Sequence, residues 1–380
     1  MTLDEKYMNI AISLAEKGIS HSFPNPSVGC VILECDKDYK NEQIVGFGFT
    51  SKTGRPHAEA NAIKNVKFKK KKKYICYSTL EPCAHIGRDD SCLKKILSNP
   101  IDEVVFSLLD PDLRTSGKSL EKLRKEKIKV RNGTLKSKSI NLYKGYFMRK
   151  IQTRPFITLK IATSIDGKIA YPDNRKKWIT NSLSRKFVHH IRSDSDGILI
   201  GGNTLRIDNP QLNCRIKGLE ETSPIRIVIS KRFNFSYNLK FFNNNKLRTI
   251  FFTEKNRKLN LKILKNNNIE IHEMESEHFS LRNILNKISL MGISNLLVEG
   301  GATIFGLFLE ENLVDKIMIF RGNNVIGNEG LDAFNTTDRD SKNFQGLFQL
   351  TDIFKLENNH LEIFENKESN RFFKNIIKEY

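Results

Sequence analysis

One histidine, one glutamate and two cysteines constrain this chain more than anything else in it. His57 and Glu59 stand in Pro56-His57-Ala58-Glu59, Cys83 closes Glu81-Pro82-Cys83, and Cys92 follows nine positions later. An imidazole and two thiolates form a borderline-soft donor set that suits Zn2+ and leaves a fourth position open for water. Glu59 lies close to such a metal yet is surplus as a ligand, where a proton-carrying carboxylate is needed. Zinc lowers the pKa of its water to about 7, which provides a nucleophile at neutral pH. Taken singly, each residue has a plainer reading: a cap or core histidine, and two small buried hydrophobes. A closed structural site would need a fourth ligand, with Cys76 or His85 at hand. The joint pattern favours a catalytic metal, because both helix starts follow strands and Glu59 is placed for proton transfer.

A chain of 380 residues exceeds what one hydrophobic core usually supports, so two domains are expected. The 63 Lys and Arg outnumber the 43 Asp and Glu, for a formal charge of +20. Charge alone invites a nucleic-acid reading. Runs such as 69–73 (Lys), 243–245 and 266–268 (Asn) instead read as biased composition on solvated surface, so no nucleic-acid partner is expected. An anionic, phosphate-bearing substrate suits the same excess. Six cysteines are too few for a disulfide framework at this length. The polar N-terminus lacks an apolar core, and no stretch approaches about 18 consecutive apolar residues. Neither a signal peptide nor a membrane association is expected, and the cytoplasm is the default.

Thr2-Leu3-Asp4-Glu5 reads as a capping box before a helix with Tyr7, Ile10, Ala11 and Leu14 on its apolar face, ended by Gly18. Strands are expected at 28–33, 43–49, 74–79 and 104–108, and helices at about 57–64, 92–97 and 120–127. Together they describe an α/β layer structure ending near Val130. A connection over 141–154 follows, punctuated by Arg154-Pro155. A second α/β region has strands at 156–161, 197–200, 225–229, 249–252, 295–298 and 316–320. Its helices are expected at 183–192, 281–290 and 304–310. The domains are placed at 1–147 and 153–380. No internal repeat relates them, and neither the Asn-rich stretch 232–247 nor the last forty or so residues carries a usable pattern.

The H-x-E and P-C pattern is that of zinc deaminases, whose usual signature puts the second Cys three positions after the first. Nine positions separate Cys83 from Cys92, which argues against a nucleoside or RNA deaminase with a basic accessory domain. Pro24-Asn25-Pro26-Ser27-Val28-Gly29-Cys30-Val31, Pro56-His57-Ala58-Glu59, Thr79-Leu80-Glu81-Pro82-Cys83-Ala84-His85-Ile86-Gly87-Arg88 and Asp110-Pro111 closely resemble one family. It is the bifunctional diaminohydroxyphosphoribosylaminopyrimidine deaminase/5-amino-6-(5-phosphoribosylamino)uracil reductase of riboflavin biosynthesis. The resemblance implies an N-terminal cytidine-deaminase-like α/β/α domain with His57, Cys83 and Cys92 on Zn2+ and Glu59 as proton shuttle. It implies that Asn25 and His85 bind the pyrimidine, although context alone makes Asn25 a turn residue between prolines.

The resemblance continues through Leu159-Lys160-Ile161-Ala162-Thr163-Ser164-Ile165-Asp166-Gly167-Lys168, Trp178-Ile179-Thr180, Arg192, Gly201-Gly202-Asn203-Thr204, Asp208-Asn209-Pro210, Leu212, Arg215 and Val298-Glu299-Gly300-Gly301. It implies a C-terminal α/β domain similar in fold to dihydrofolate reductase, which reduces the ribosyl side chain of the deaminated product to ribityl with NADPH. Thr163, Trp178, Thr204, Asp208, Gly300, Gly301, Ala302 and Thr303 are then expected at the cofactor. Lys160 is expected as the catalytic residue, and Arg192, Leu212, Arg215 and Glu299 at the substrate. A serine often found two positions before the tryptophan is Lys176 here, expected to face a phosphate. No G-x-G-x-x-G follows a strand, which counts against a Rossmann site. The Gly300-Gly301 turn between a strand and a helix can cradle a pyrophosphate, and guanidinium forks at Arg192 and Arg215 suit a 5′-phosphate. Similar enzymes are homo-oligomers, dimers or tetramers. A degenerate, non-enzymatic paralogue would require loss of Glu59 or a ligand, and all four are present.

Overall fold

Strand β1 (Gly29–Cys35) is buried along its whole length, which requires cover on both faces of its sheet. The computed structural model describes residues 1–85, 90–172, 178–243, 246–255, 268–336 and 344–379. They form two compact units, Met1–Gln152 together with the chain from Phe372 onward, and Thr153–Arg371.

In the first unit β1 lies between β2 (Gln43–Phe49) and β3 (Lys73–Leu80), antiparallel to both, and β4 (Glu103–Leu108) and β5 (Lys129–Asn132) extend the sheet in parallel. Side chains alternate across the sheet. Cys30, Ile32, Tyr74, Cys76, Val104 and Phe106 pack on one face with Ala58, Ala62, Leu93, Ile96 and Leu123. Those last five come from α2 (Ala58–Ile63), α3 (Cys92–Leu97) and α4 (Lys118–Lys125). Val31, Leu33, Ile75, Tyr77 and Val105 pack on the other face with α1 (Leu3–Gly18). The capping box at Thr2 and Glu5 forms as expected.

The expected connection over 141–154 is a helix instead, α5 (Lys136–Gln152). Ile140, Tyr143 and Phe147 recur at helical spacing and are buried. Five lysines and arginines within the helix hide that stripe in the sequence.

The second unit is built on a nine-stranded sheet, order β11-β10-β9-β8-β12-β6-β13-β16-β15. The run from β11 (Ile269–Met274) through β10 (Thr249–Glu254), β9 (Ile225–Ile229), β8 (Gly197–Gly201), β12 (Asn295–Val298) and β6 (Phe156–Thr163) to β13 (Lys316–Arg321) is parallel. Its carboxyl ends therefore share one edge. Helices α6 (Ser182–Ser193), α7 (Gly202–Asp208), α8 (Leu281–Leu290) and α9 (Ala302–Glu310) belong to this unit. A short ribbon pairs β7 (Lys168–Ala170) with β14 (Leu331–Asp332). The described parts of the two segments without a usable pattern are structured. Phe233, Phe235, Phe241 and Phe242 gather around Phe251 of β10. The C-terminal residues form the antiparallel pair β15 (Phe348–Leu356) and β16 (Asn359–Asn366), then α10 (Lys367–Glu379).

Close seating of α1 on β1 yields the first prediction. A Cβ on Gly29 would fall 1.9 Å from the Ala11 carbonyl oxygen and 2.8 Å from the Ala15 amide nitrogen. Gly29→Ala is expected to destabilise the first unit by about 3 kcal/mol through overpacking. Urea denaturation followed by circular dichroism measures this, and an unmoved first-unit transition contradicts the close approach.

Candidate functional site

In the first unit the polar residues collect where β3 and β4 end. Glu81 follows β3 and its carboxylate accepts from the backbone N–H groups of Asp110, Gly117, Ser119 and Leu120 at 3.0–3.2 Å. The Ser119 hydroxyl donates to the Pro82 carbonyl at 2.6 Å. Cys83 is thereby held on a rigid turn. Cys92 opens α3 behind its Ser91 cap, and its N–H donates to Cys83 Sγ at 3.2 Å. His57 is the N-cap residue of α2, with Nδ1 3.5 Å from Cys83 Sγ and 3.3 Å from Cys92 Sγ.

The three ligand atoms lie within 4.8 Å of one another, and among the described residues the group has these three members. One nitrogen and two sulfurs at this spacing fit a tetrahedral zinc with a position to spare. Hydrogen bonding from the Cys92 thiol, then from His57, draws the Cys83 thiol down to about 4, the thiolate form a metal needs. Cys76 points elsewhere, its Sγ 3.5 Å from Cys30 Sγ, and His85 Nδ1 is 3.1 Å from Thr115 Oγ1. Glu59 is 3% exposed and takes a hydrogen bond from the Ser78 hydroxyl at 3.0 Å. Burial pushes its carboxyl above the ordinary value. Asn25 Nδ2 donates to the Gly54 carbonyl at 2.9 Å and lies 3.5 Å from His57 Nε2.

In the second unit a buried carboxylate organises the centre. Glu299, just past β12, accepts from Arg192 Nε at 2.7 Å and Nη2 at 2.8 Å, and Lys160 Nζ of β6 is 3.9 Å away. Burial alone would raise the Glu299 carboxyl, but Arg192 and then Lys160 hold it down to about 2. Burial lowers the Lys160 ammonium from its ordinary value. Arg192 Nη1 also donates to the Asn213 carbonyl at 3.1 Å. His189, one turn earlier on α6, brings its Nδ1 to 3.1 Å from the same oxygen. Burial, then Arg192 and Arg215, pushes the His189 imidazole down to about 4. Arg215 is exposed and bonds Asn213 Oδ1 at 2.9 Å, and the buried Leu212 adopts a left-handed backbone with φ 52°.

Beside this centre, the turns after β8 and β12 meet. A Cβ on Gly301 would lie 3.3 Å from Thr204 Oγ1, and one on Gly300 would lie 2.7 Å from Ile304. Thr163, the last residue of β6, has a buried hydroxyl with no hydrogen-bond partner. Glycine turns and an unsatisfied hydroxyl along one edge fit a hydrogen-bonding dinucleotide. Ala302 is buried and Thr303 exposed in the first turn of α9, and Asp208 ends α7. Trp178 is 57% exposed, with the Arg185 guanidinium 4.8 Å from its ring centroid. Lys176 and the motif residues Ile86, Gly87 and Arg88 lie outside the described residues.

The structure thus brings His57, Glu59, Cys83, Cys92 and Asn25 together in one unit, and Lys160, Arg192, Glu299 and Arg215 in the other, where Leu212 packs into the core with Ile198, Leu205 and Phe241. Sequence reading missed Ser78, Thr115, His189 and Asn213. Ser78 was within reach: it shares strand parity with Cys76 and therefore the face that α2 covers. His189 precedes Arg192 by three residues, one helical turn.

Two family descriptions match the chain: the cytidine and deoxycytidylate deaminase zinc-binding region over residues 1–108, and the RibD C-terminal domain over residues 155–360. The riboflavin biosynthesis protein RibD of Aquifex aeolicus is 37% identical over 329 residues, covering 87% of this chain and 89% of that protein. The solved RibD structure from Acinetobacter baumannii (form 1) is 29% identical with a TM-score of 0.85, covering 96% of this chain and 99% of that one. A diaminohydroxyphosphoribosylaminopyrimidine deaminase/5-amino-6-(5-phosphoribosylamino)uracil reductase from Thermotoga maritima is 31% identical with a TM-score of 0.83, covering 96% and 98%. The expected fold classes for both halves hold.

The Arg192–Glu299 pair makes second-unit stability depend on acid. A glutamate held at about 2 when folded, against 4.5 ordinarily, contributes stability above pH 4.5 that is lost as pH falls toward 2. Arg192→Gln is expected to cost about 3 kcal/mol at pH 7 by stranding a buried charge. It should also flatten the loss between pH 4.5 and 2. Urea midpoints read from the fluorescence of Trp178 measure both, and equal midpoints for the two proteins at pH 7 contradict the pairing.

Proposed function

The chain belongs to the RibD family of riboflavin biosynthesis proteins, and from that premise we propose how its residues divide the work. It is a bifunctional deaminase and reductase that uses Zn2+ and NADPH. Deamination of 2,5-diamino-6-(5-phosphoribosylamino)pyrimidin-4(3H)-one belongs to a domain spanning 1–147. Reduction of the ribosyl side chain of 5-amino-6-(5-phosphoribosylamino)uracil belongs to a domain spanning 153–380. The observation that carries the first assignment is the His57, Cys83 and Cys92 donor group with Glu59 buried beside it.

Zinc on those three donors supplies Lewis-acid activation of water. Glu59 accepts the proton of the attacking water and returns it to the departing amino nitrogen. Ser78 fixes one carboxylate oxygen, which leaves the other to carry the proton. Asn25 and His85 orient the pyrimidine. In the second domain NADPH supplies the hydride, and the residues supply position and charge. Lys160, poised by burial and by Glu299, donates a proton to the ribose ring oxygen as its bond to C1′ breaks and C1′ takes the hydride. Arg192 commits its fork to Glu299, so the exposed Arg215 makes the first contact with the 5′-phosphate.

Among the described residues no helix is long and apolar enough to cross a membrane. None of the six cysteines is paired in a disulfide, which supports a reducing compartment, the cytoplasm, as the site of action. A homo-oligomer, dimer or tetramer, is supported by the edge strand β15, which exposes Leu350, Ile353 and Phe354.

A coupled assay tests the division of labour by following ammonia release and NADPH oxidation together. Glu59→Gln should slow ammonia release by about a thousandfold while NADPH oxidation with added deaminated substrate is retained. Lys160→Gln should do the reverse. A zinc chelator should stop ammonia release alone. Loss of both activities in either variant refutes the assignment of the two sites.

A further inference from the structure

Three cationic or imidazole side chains of the second unit meet on one residue, Asn213. Its backbone carbonyl accepts from Arg192 Nη1 at 3.1 Å and lies 3.1 Å from His189 Nδ1, which occupies both of its lone pairs. A carbonyl oxygen only accepts, so the His189 proton sits on Nδ1. Burial, then Arg192 and Arg215, push that imidazole down to about 4, so His189 adds a donor at neutral pH without adding a charge. The Asn213 side chain serves a different partner: Oδ1 accepts from Arg215 Nη1 at 2.9 Å.

The segment 212–215 is held against its own preference. Leu212 keeps a left-handed backbone at φ 52°, a region a branched side chain leaves unless its surroundings forbid it. The Cys214 N–H donates to Ser223 Oγ at 3.0 Å, and Cys214 Sγ donates to the His189 carbonyl at 3.4 Å. Helix α6 therefore grips the segment through His189 and Arg192. Arg215 has only neutral partners among the described residues, Asn213 Oδ1 and, at 3.5 Å, Gln211 Oε1. Both take hydrogen bonds from Nη1. That leaves the Nε and Nη2 donors, a bidentate edge of the guanidinium, for an anion.

We propose that Asn213, held by His189, is a positioning residue of the reductase: it engages Arg215 Nη1 and so presents the Nε–Nη2 edge to the substrate's 5′-phosphate. The inference rests on the reading of Arg215 as the first phosphate contact. A neutral amide suits the task. A carboxylate in its place would pair with Arg215 and repel a phosphate monoester, which brings about −1.5 to −2 charges.

Steady-state NADPH oxidation by the zinc-loaded full chain tests this, with 5-amino-6-(5-phosphoribosylamino)uracil and with its dephosphorylated ribosyl counterpart as substrates. Wild type should favour the phosphorylated substrate by about a hundredfold in kcat/KM. Asn213→Ala leaves the backbone carbonyl in place. It should raise KM for the phosphorylated substrate about tenfold, with kcat and the dephosphorylated substrate within about twofold. Asn213→Asp should raise that KM further. His189→Leu should act like Asn213→Ala, and His189→Asn, which keeps an N–H donor, should restore most of the loss. Thermal midpoints check the fold of each variant. Equal loss on both substrates in Asn213→Ala overturns the inference and leaves the Arg215 reading standing. So does a wild-type KM in Asn213→Asp or in His189→Leu. Equal wild-type kcat/KM for the two substrates overturns both.

Discussion

Parallel pairing fixes where the chemistry of each unit lies. Parallel strands send their carboxyl ends to one edge, and the chain leaves every strand there. In the first unit β3 and β4 are such neighbours, so the loop with Cys83 lies beside the loop from Asp110 to Thr115. Glu81 N–H donates to the Leu108 carbonyl at 2.8 Å, and the Thr115 hydroxyl meets His85. In the second unit β6 and β12 place Lys160 and Glu299 together. Reversing β12, a strand of four residues, would carry Glu299 roughly 13 Å toward the opposite edge.

Three buried glutamates then do three jobs according to what surrounds them. Glu81 takes four backbone N–H groups, an arrangement that orders two loops and leaves the carboxylate no room to move. Glu299 faces the Arg192 guanidinium and the Lys160 ammonium, so it stays charged and anchors cations. Glu59 has the Ser78 hydroxyl, and burial raises its carboxyl toward the working range of a proton carrier. Residue type is the same at all three positions. The partners decide.

That dependence on partners marks the limit of what the sequence made legible. Strands buried on both faces are largely apolar runs, so β1, β3, β4, β9 and β12 could be read directly, and the ligand group could be read from residue type and spacing. Helix α5 could not, because its buried stripe is interleaved with lysine and arginine. The stretch 232–247 could not either: Phe233, Phe235 and Phe241 fall at even spacing, but Tyr237 between them is exposed and Phe242 breaks the period. The Arg192–Glu299 pair joins residues 107 positions apart, and no local pattern encodes it.

Burial, rather than charge, separates drift from design in this basic chain. Lys69, within the lysine run, is 62% exposed, whereas Arg192 and Lys160 are 11% and 16% exposed. A solvated lysine costs little and interacts weakly. A buried cation must be matched by hydrogen bonds or by charge, so it persists only where something holds it. Arg226 shows the structural version: fully buried on β9, it bonds Thr249 Oγ1 at 3.0 Å and the Phe241 carbonyl at 2.6 Å, and stacks 4.2 Å from the Phe241 ring. It fastens the asparagine-rich stretch to the sheet. Arg192 is held by an acid at the carboxyl edge, and Arg226 is bonded by the Thr249 hydroxyl and the Phe241 carbonyl within the sheet. The partner, an acid that stays charged or a hydroxyl and a carbonyl oxygen, therefore distinguishes the two buried cations.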